Sequence, residues 1–236
     1  MHKVWCIFRK DVETYFHSPV TYVVMGISLA ICGYLFSAIV LGYQTADMRF
    51  VLSSIASTSL LVAPVLTMRS IAEERRIGTD ELLMTSPISI TEIIVGKYLA
   101  VVLVYVVMLV ITLIYPLFLA LLGHPDPGPI VSGYVGLLLL GGFHLAVGLF
   151  TSSLTENQVI AGMTSFGILL LLWMIGRIDQ VLPGRIGTAL AFLSLADHFC
   201  TFERGIIDTT EIFFFLSFIF FMIFLTIQAV DYRRRT

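Results

Sequence analysis

The chain has 236 residues, of which 58% are hydrophobic and only 13% charged, at a mean hydropathy of +0.95. A water-soluble domain carries about 25% charged residues, so that class is excluded, and apolar runs that do not alternate over about ten residues exclude a β-barrel as well. The formal net charge of −2 is silent on orientation, which follows Lys and Arg rather than net charge.

From the N-terminus, residues 4–18 set Val4, Trp5, Ile7, Phe8, Val12, Tyr15 and Phe16 beside Lys3, Arg9, Lys10, Asp11 and Glu13. At a helical period this predicts an amphipathic interface helix over residues 1–19, with Trp and Tyr at headgroup depth. The apolar run after Pro19 is too long for a signal-peptide core and ends in no Ala-x-Ala-like site, so no cleavable leader is expected. Apolar stretches of about 18 or more residues cross the hydrocarbon core as helices. Six are predicted, at roughly 20–42, 50–68, 98–122, 131–152, 159–177 and 211–230. In lipid each backbone polar group has to be satisfied within its own segment. The expected fold class is therefore an all-α polytopic membrane protein, one domain over 1–236, with six transmembrane helices and an N-terminal amphipathic interface helix.

Between the second and third spans lies a charged island, from Arg69 through Glu73, Glu74, Arg75 and Arg76 to Pro87. Ser70 and Glu73 have capping-box spacing, but Ser70 reads as a continuation of the second span. Gly78 is a natural break. Thr79 is placed to cap a new short helix whose first turn holds Asp80 and Glu81, favourable at the positive end of the helix dipole. Leu82, Leu83 and Met84 give that helix an apolar knob, and Pro87 stops it. Ser89 and Glu92 repeat the capping-box spacing just before Ile93 and Ile94, where it marks a helix start. A tight hairpin needs only two to eight residues, so an element this elaborate reads as a docking site.

Further along, Pro64 and Pro116 are set to kink the second and third spans, either as hinges for opening or as simple bends. The run Gly123-His124-Pro125-Asp126-Pro127-Gly128-Pro129 forces a turn, because proline has no N–H and fixes φ. His144 is the clearest ionisable residue within a span and so a candidate intramembrane polar site. Neutral histidine needs only one or two partners, and Gly141 and Gly142 beside it let another helix come close, which favours a structural hydrogen bond. Residues 178–210 hold Leu182, Ile186, Ala189, Leu190, Phe192, Leu193 and Leu195 among a few charges. They read equally as a short helix re-entering the outer leaflet or a surface helix packed on the bundle. In the last span, Phe213-Phe214-Phe215 and Phe220-Phe221 suit a lipid-facing surface as readily as an amphiphile path, the former being the more common.

With the N-terminus inside, the cytoplasmic segments hold ten basic residues: Lys3, Arg9, Lys10, Arg69, Arg75, Arg76, Lys97, Arg233, Arg234 and Arg235. The outer side holds four: Arg49, Arg177, Arg185 and Arg204. Both termini and the island are therefore placed in the cytoplasm. Cys6, Cys32 and Cys200 then share no oxidising face, and no Cys-x-x-Cys or His-Glu-x-x-His spacing occurs. Neither disulfide nor metal is expected.

Three blocks carry a likeness: Tyr15-Phe16-x-Ser18-Pro19-x-x-Tyr22-Val23-Val24; Leu66-Thr67-Met68-Arg69-Ser70-x-Ala72-Glu73-Glu74-Arg75-Arg76-x-Gly78-Thr79-x-Glu81-Leu82-Leu83-x-Thr85-x-Pro87; and Gly96-Lys97-Tyr98-Leu99. They resemble the permease subunits of ABC-2 type exporters, particularly the gliding-motility-associated branch. The resemblance implies a six-helix half-transporter in a bacterial inner membrane, paired with a second permease chain, identical or related, and with two separate ATPase subunits. An extracytoplasmic auxiliary protein is a further partner of this kind, and no nucleic acid is expected. In that family the loop between the second and third spans carries a coupling helix that sits in a groove of the ATPase. Here the resemblance places that loop at 69–97 and the helix at Thr79 to Met84, supported by Glu73 to Arg76.

The chain has no Gly-x-x-x-x-Gly-Lys-Ser/Thr; its one Gly-Lys pair, Gly96-Lys97, is followed by Tyr98. The chain is thus expected to be no enzyme and to hold no cofactor, with ATP and Mg bound by the partner ATPase. An intramembrane enzyme is the first alternative, and it calls for a His/Asp/Glu constellation at one depth, where His144 stands almost alone. A passive channel or scaffold, the second, explains the spans but leaves the island without a purpose. The second half of the chain carries no distinctive motif that would name a substrate.

Overall fold

A computed structural model describes residues 2–43, 48–79, 88–122, 126–176 and 193–235. Among the described residues the order of elements is α1 (His2–His17), α2 (Pro19–Tyr43), α3 (Arg49–Thr67), α4 (Ala72–Ile77), α5 (Ile90–Thr112), α6 (Ile114–Leu122), α7 (Pro127–Leu154), α8 (Gln158–Met174), α9 (Leu195–Glu203) and α10 (Thr209–Arg235). Among the described residues five stretches are long and apolar enough to cross a membrane, with α3 running on into α4 and α5 into α6; α8, of 17 residues, is a shorter apolar helix. The protein is an all-helical, multi-pass membrane protein.

Local chemistry sets the element ends. The third span begins at Ile90 and not near residue 98, because Ser89 and Glu92 form the expected capping box. The Glu92 N–H donates to the Ser89 hydroxyl (3.2 Å) and the Ser89 N–H to the Glu92 carboxylate (3.0 Å). At the other side of the island, α3 stops at Thr67 and residues 68–71 turn before α4. Ser70 thus sits in a turn, not in a prolongation of the span. Pro64 is accommodated inside α3, whereas α5 yields to α6 at Leu113, within a turn of Pro116. Proline has no N–H to offer the Thr112 carbonyl four residues back. That carbonyl accepts instead from the Tyr134 hydroxyl of α7 at 2.9 Å, which keeps the break satisfied inside the bundle.

The centre of the bundle is α7, which packs against α3, α5, α8, α9 and α10. Its glycines are the reason it fits there. A Cβ at Gly141 would overlap the ring of Tyr105 on α5, and one at Gly148 would overlap the side chain of Thr67 on α3. The same close approach lets Tyr98 donate to the Gly142 carbonyl (3.0 Å) and Tyr105 to the Leu137 carbonyl (3.2 Å). Gly141→Val should lower the melting temperature of the purified chain, since overpacking a filled core costs about 1–3 kcal/mol. An unchanged melting curve would show that the α5–α7 contact is loose.

The N-terminal end of α7 receives α9. Phe199 and Phe202 are buried, the Ser132 hydroxyl donates to the Phe202 carbonyl at 2.7 Å, and a Cβ at Gly136 would strike the Phe202 ring. In the 178–210 region, then, the described part is a helix packed onto the bundle, while residues 177–192 lie outside the described residues. The C-terminal end of α7 receives α4 and the end of α10, where Arg233 donates to the Leu154 carbonyl at 2.8 Å. Ser132 and Ser152 are some 30 Å apart along the helix axis, the thickness of a hydrocarbon core. The bundle therefore has two ends: one carries α1, α4 and the basic end of α10, the other carries α9. Outward faces of α2 and α10 are apolar, with Tyr34, Phe213 and Phe220 each about 70% exposed.

Candidate functional site

The described part of the charged island is a single six-residue helix, α4, held from three sides. Its first N–H groups have no partner within so short a helix, and its own N-cap side chain supplies none. The cap comes from α7 instead. The Ser152 hydroxyl accepts from the Ile71 N–H (3.2 Å) and the Ala72 N–H (3.1 Å) and donates to the Met68 carbonyl (3.3 Å), which uses its one donor and both acceptor positions. Arg75 donates to the Ser153 carbonyl next to it. At the far end Gly78 takes a left-handed φ of 79° and closes the helix, as its place in the sequence predicts. The Thr79 hydroxyl donates back to the Glu74 carbonyl at 3.2 Å. Glu73 and Glu74 occupy the first turn and Arg75 and Arg76 the last, each at the end of the helix dipole that favours its charge.

Inward from α4 lies a cluster that binds three elements together. Lys97, on the second turn of α5, is 3% exposed. Its ammonium has three donors, and each has an acceptor: Glu74 of α4 at 2.8 Å, Asp11 of α1 at 3.3 Å and the Ser70 carbonyl at 3.0 Å. Glu74 uses its other oxygen to accept from Lys10 of α1 at 3.0 Å. Burial disfavours the Lys10 charge, but Glu74 and then Asp11 outweigh it and hold its pKa above the ordinary lysine value. A charge as deeply buried as Lys97 persists only when paired and hydrogen-bonded, and here two carboxylates and a carbonyl do both. Beside the cluster, Ile7 packs on Gly96 and the Tyr15 hydroxyl donates to the Leu66 carbonyl at 3.1 Å. The amphipathic α1 is thus fixed to α5 and α4 along one face and leaves Trp5 exposed on another.

Glu73, Glu74, Arg75, Arg76, Gly78 and Thr79 therefore sit together at one end of the bundle. Asp80, Glu81, Leu82, Leu83, Met84 and Pro87 lie outside the described residues. His144 is far from this group, fully buried in the middle of α7, with its Nδ1 2.9 Å from the Ser59 hydroxyl of α3. Ser59 also donates to the Ala56 carbonyl at 2.6 Å. His144 is thereby an interhelical hydrogen-bonding group joining α3 to α7. Sequence reasoning missed the roles of Asp11, Lys97 and Ser152. For Lys97 a signal was available: a helix capped at Ser89 puts it two turns inside an apolar helix, where a lone lysine requires partners.

The family model described as ABC-2 family transporter protein matches residues 41–183, more than half of the chain, from the end of α2 through α8. The charged island, α4, Lys97 and His144 all fall within it. No curated protein matches the chain.

Proposed function

Because this chain belongs to the ABC-2 family of transporter proteins, we propose that it is the permease of an ATP-driven exporter, driven by a separate cytoplasmic ATPase that docks on the loop between its second and third spans. Membership makes it a permease component of an ABC transporter, a class that works with an ABC ATPase; the docking element, the direction and the assembly are the proposal. The observation that carries it is the Lys97 cluster. A force applied to the island reaches α4, and the ion pairs of Glu74 and Lys97 pass it at once to the interface helix α1 and to the start of the third span. A solvated loop with surface ion pairs, each worth about 0.2–0.5 kcal/mol, has no such linkage.

In this reading Thr79 to Met84 form the contact with the ATPase, which binds ATP and Mg. A second permease chain, identical or related, completes the transport path, as in the gliding-motility-associated branch that the N-terminal motifs resemble. The membrane is the bacterial inner membrane. The grouping of α1, α4 and the basic end of α10 at one end of the bundle supports a common, cytoplasmic side for both termini and the island, in accord with the excess of Lys and Arg there.

Orientation is testable by itself. In a background with Cys6, Cys32 and Cys200 replaced, a single cysteine at Ser86 should react with a membrane-impermeant thiol reagent only after the cells are opened. One at Asp126 should react in intact cells. Labelling of both from outside would overturn the topology.

A further inference from the structure

A cleft of about 730 Å³ opens between the α1–α2 elbow and the α3–α4 turn, lined by apolar, hydroxyl and charged side chains. Val20, Val24, Val65 and Leu66 form an apolar wall, Thr14 and Ser18 add hydroxyls, and Arg69, Glu73 and Glu13, the last also holding Arg9 at 2.9 Å, charge the rim. The other two cations that touch it, Lys10 and Lys97, are committed to the buried ion-pair cluster. Arg69 is not. Its side chain is 37% exposed, and among the described residues its ion pair is the long one to Glu73, at 3.9 Å. A partly exposed guanidinium lining the cleft keeps donors available to a ligand there.

The position of the cleft narrows what that is. The elbow is where the interface helix passes into the first membrane span, and Tyr22 and Val23, on the α2 turn that carries Val20 and Val24, are more than half exposed. A ligand here has its polar part at headgroup depth and its apolar part against lipid-facing helix. The charge narrows it further. Arg69 suits a phosphate, but Glu13 and Glu73 share the rim, so a purely anionic headgroup meets carboxylates as well as the guanidinium. A zwitterion whose cation donates hydrogen bonds satisfies both.

We propose that this cleft is a binding site for phosphatidylethanolamine, with the phosphate on Arg69, the primary ammonium facing Glu13 and Glu73, and an acyl chain along Val20 and Val24. It is a lipid site at the base of the interface helix and is independent of the transport reading.

The test is native mass spectrometry of the delipidated full-length chain, titrated with phosphatidylethanolamine, phosphatidylcholine and phosphatidylglycerol of identical acyl chains. One phosphatidylethanolamine should bind per chain about tenfold more tightly than either other lipid, the scale of one charged hydrogen bond. Arg69→Gln should reduce it to the level of phosphatidylcholine, and Val24→Trp, which fills the apolar wall, should do the same without touching a charge. If Arg69→Gln does not fold, the Val24 variant carries the test. Equal binding of the three lipids, a preference for phosphatidylglycerol, or unchanged binding in the folded variants would overturn the proposal. So would displacement of the lipid by soluble phosphoethanolamine or inorganic phosphate at equal concentration.

Discussion

Lys97→Met is expected to destabilise the purified chain by about 3–5 kcal/mol, the cost of removing one partner from a buried ion pair. The loss is large because one ammonium serves three acceptors: without it Glu74 and Asp11 keep only the half-exposed Lys10, and the Ser70 carbonyl loses its donor. Melting in mild detergent measures it. The triple variant Lys97→Met, Glu74→Leu, Asp11→Leu should recover part of the loss, since an apolar replacement of a whole buried charge group is often neutral. A single variant that melts like the wild type would mean that the cluster binds nothing together, and the path from α4 to α1 and α5 would go with it.

Leu82→Asp and Leu83→Asp are expected to abolish coupling to the ATPase while leaving membrane insertion and melting of the isolated chain unchanged. If the apolar knob of the island is buried in a groove, placing an unpaired charge there costs several kcal/mol, enough to lower complex formation by two to three orders of magnitude. The flanking charges, Asp80 and Glu81 with Glu73 and Arg76, then set register and partner choice while the leucines anchor, Glu74 and Arg75 holding α4 to the bundle beneath them. The readouts are pull-down of the ATPase and substrate-stimulated ATP hydrolysis, with His144→Ala for comparison. That change removes an interhelical hydrogen bond to Ser59 and should affect melting more than docking. Normal coupling in both leucine variants would reduce the island to a connecting loop.

Much of the fold was legible in the sequence for one reason: lipid demands continuous apolar helices, and their lengths are set by the bilayer. The capping box at Ser89 and the αL break at Gly78 were legible too, because both depend on neighbours within three residues. Hydropathy nevertheless placed the third span some two turns late. The cap at Ser89 and the apolar run from Val101 on frame a stretch that contains Glu92, Lys97 and Gly96, which a hydropathy window discounts. That displacement hid the site, since a lysine assigned to a solvated flank asks for no partners, whereas one inside the helix does. The partner elements were not legible at all. Asp11 stands 86 positions from Lys97, and Ser152 caps a helix 80 residues earlier in the chain; only packing brings them together. The glycines of α7 show the intermediate case, in which Gly141 and Gly142 announce a close approach but not that Tyr105 and Tyr98 make it.

The charged island is proposed as the seat of a cytoplasmic ABC ATPase. A photo-reactive amino acid placed at Leu83 and activated in intact cells tests it directly, with the cross-linked product identified by peptide mass spectrometry. The predicted product is a covalent adduct with a subunit that carries a Gly-x-x-x-x-Gly-Lys-Ser/Thr nucleotide-binding motif, lost when the same probe is placed at Asp126. Adducts from Leu83 with lipid or extracytoplasmic proteins alone, in cells that make the complete transporter, would contradict it.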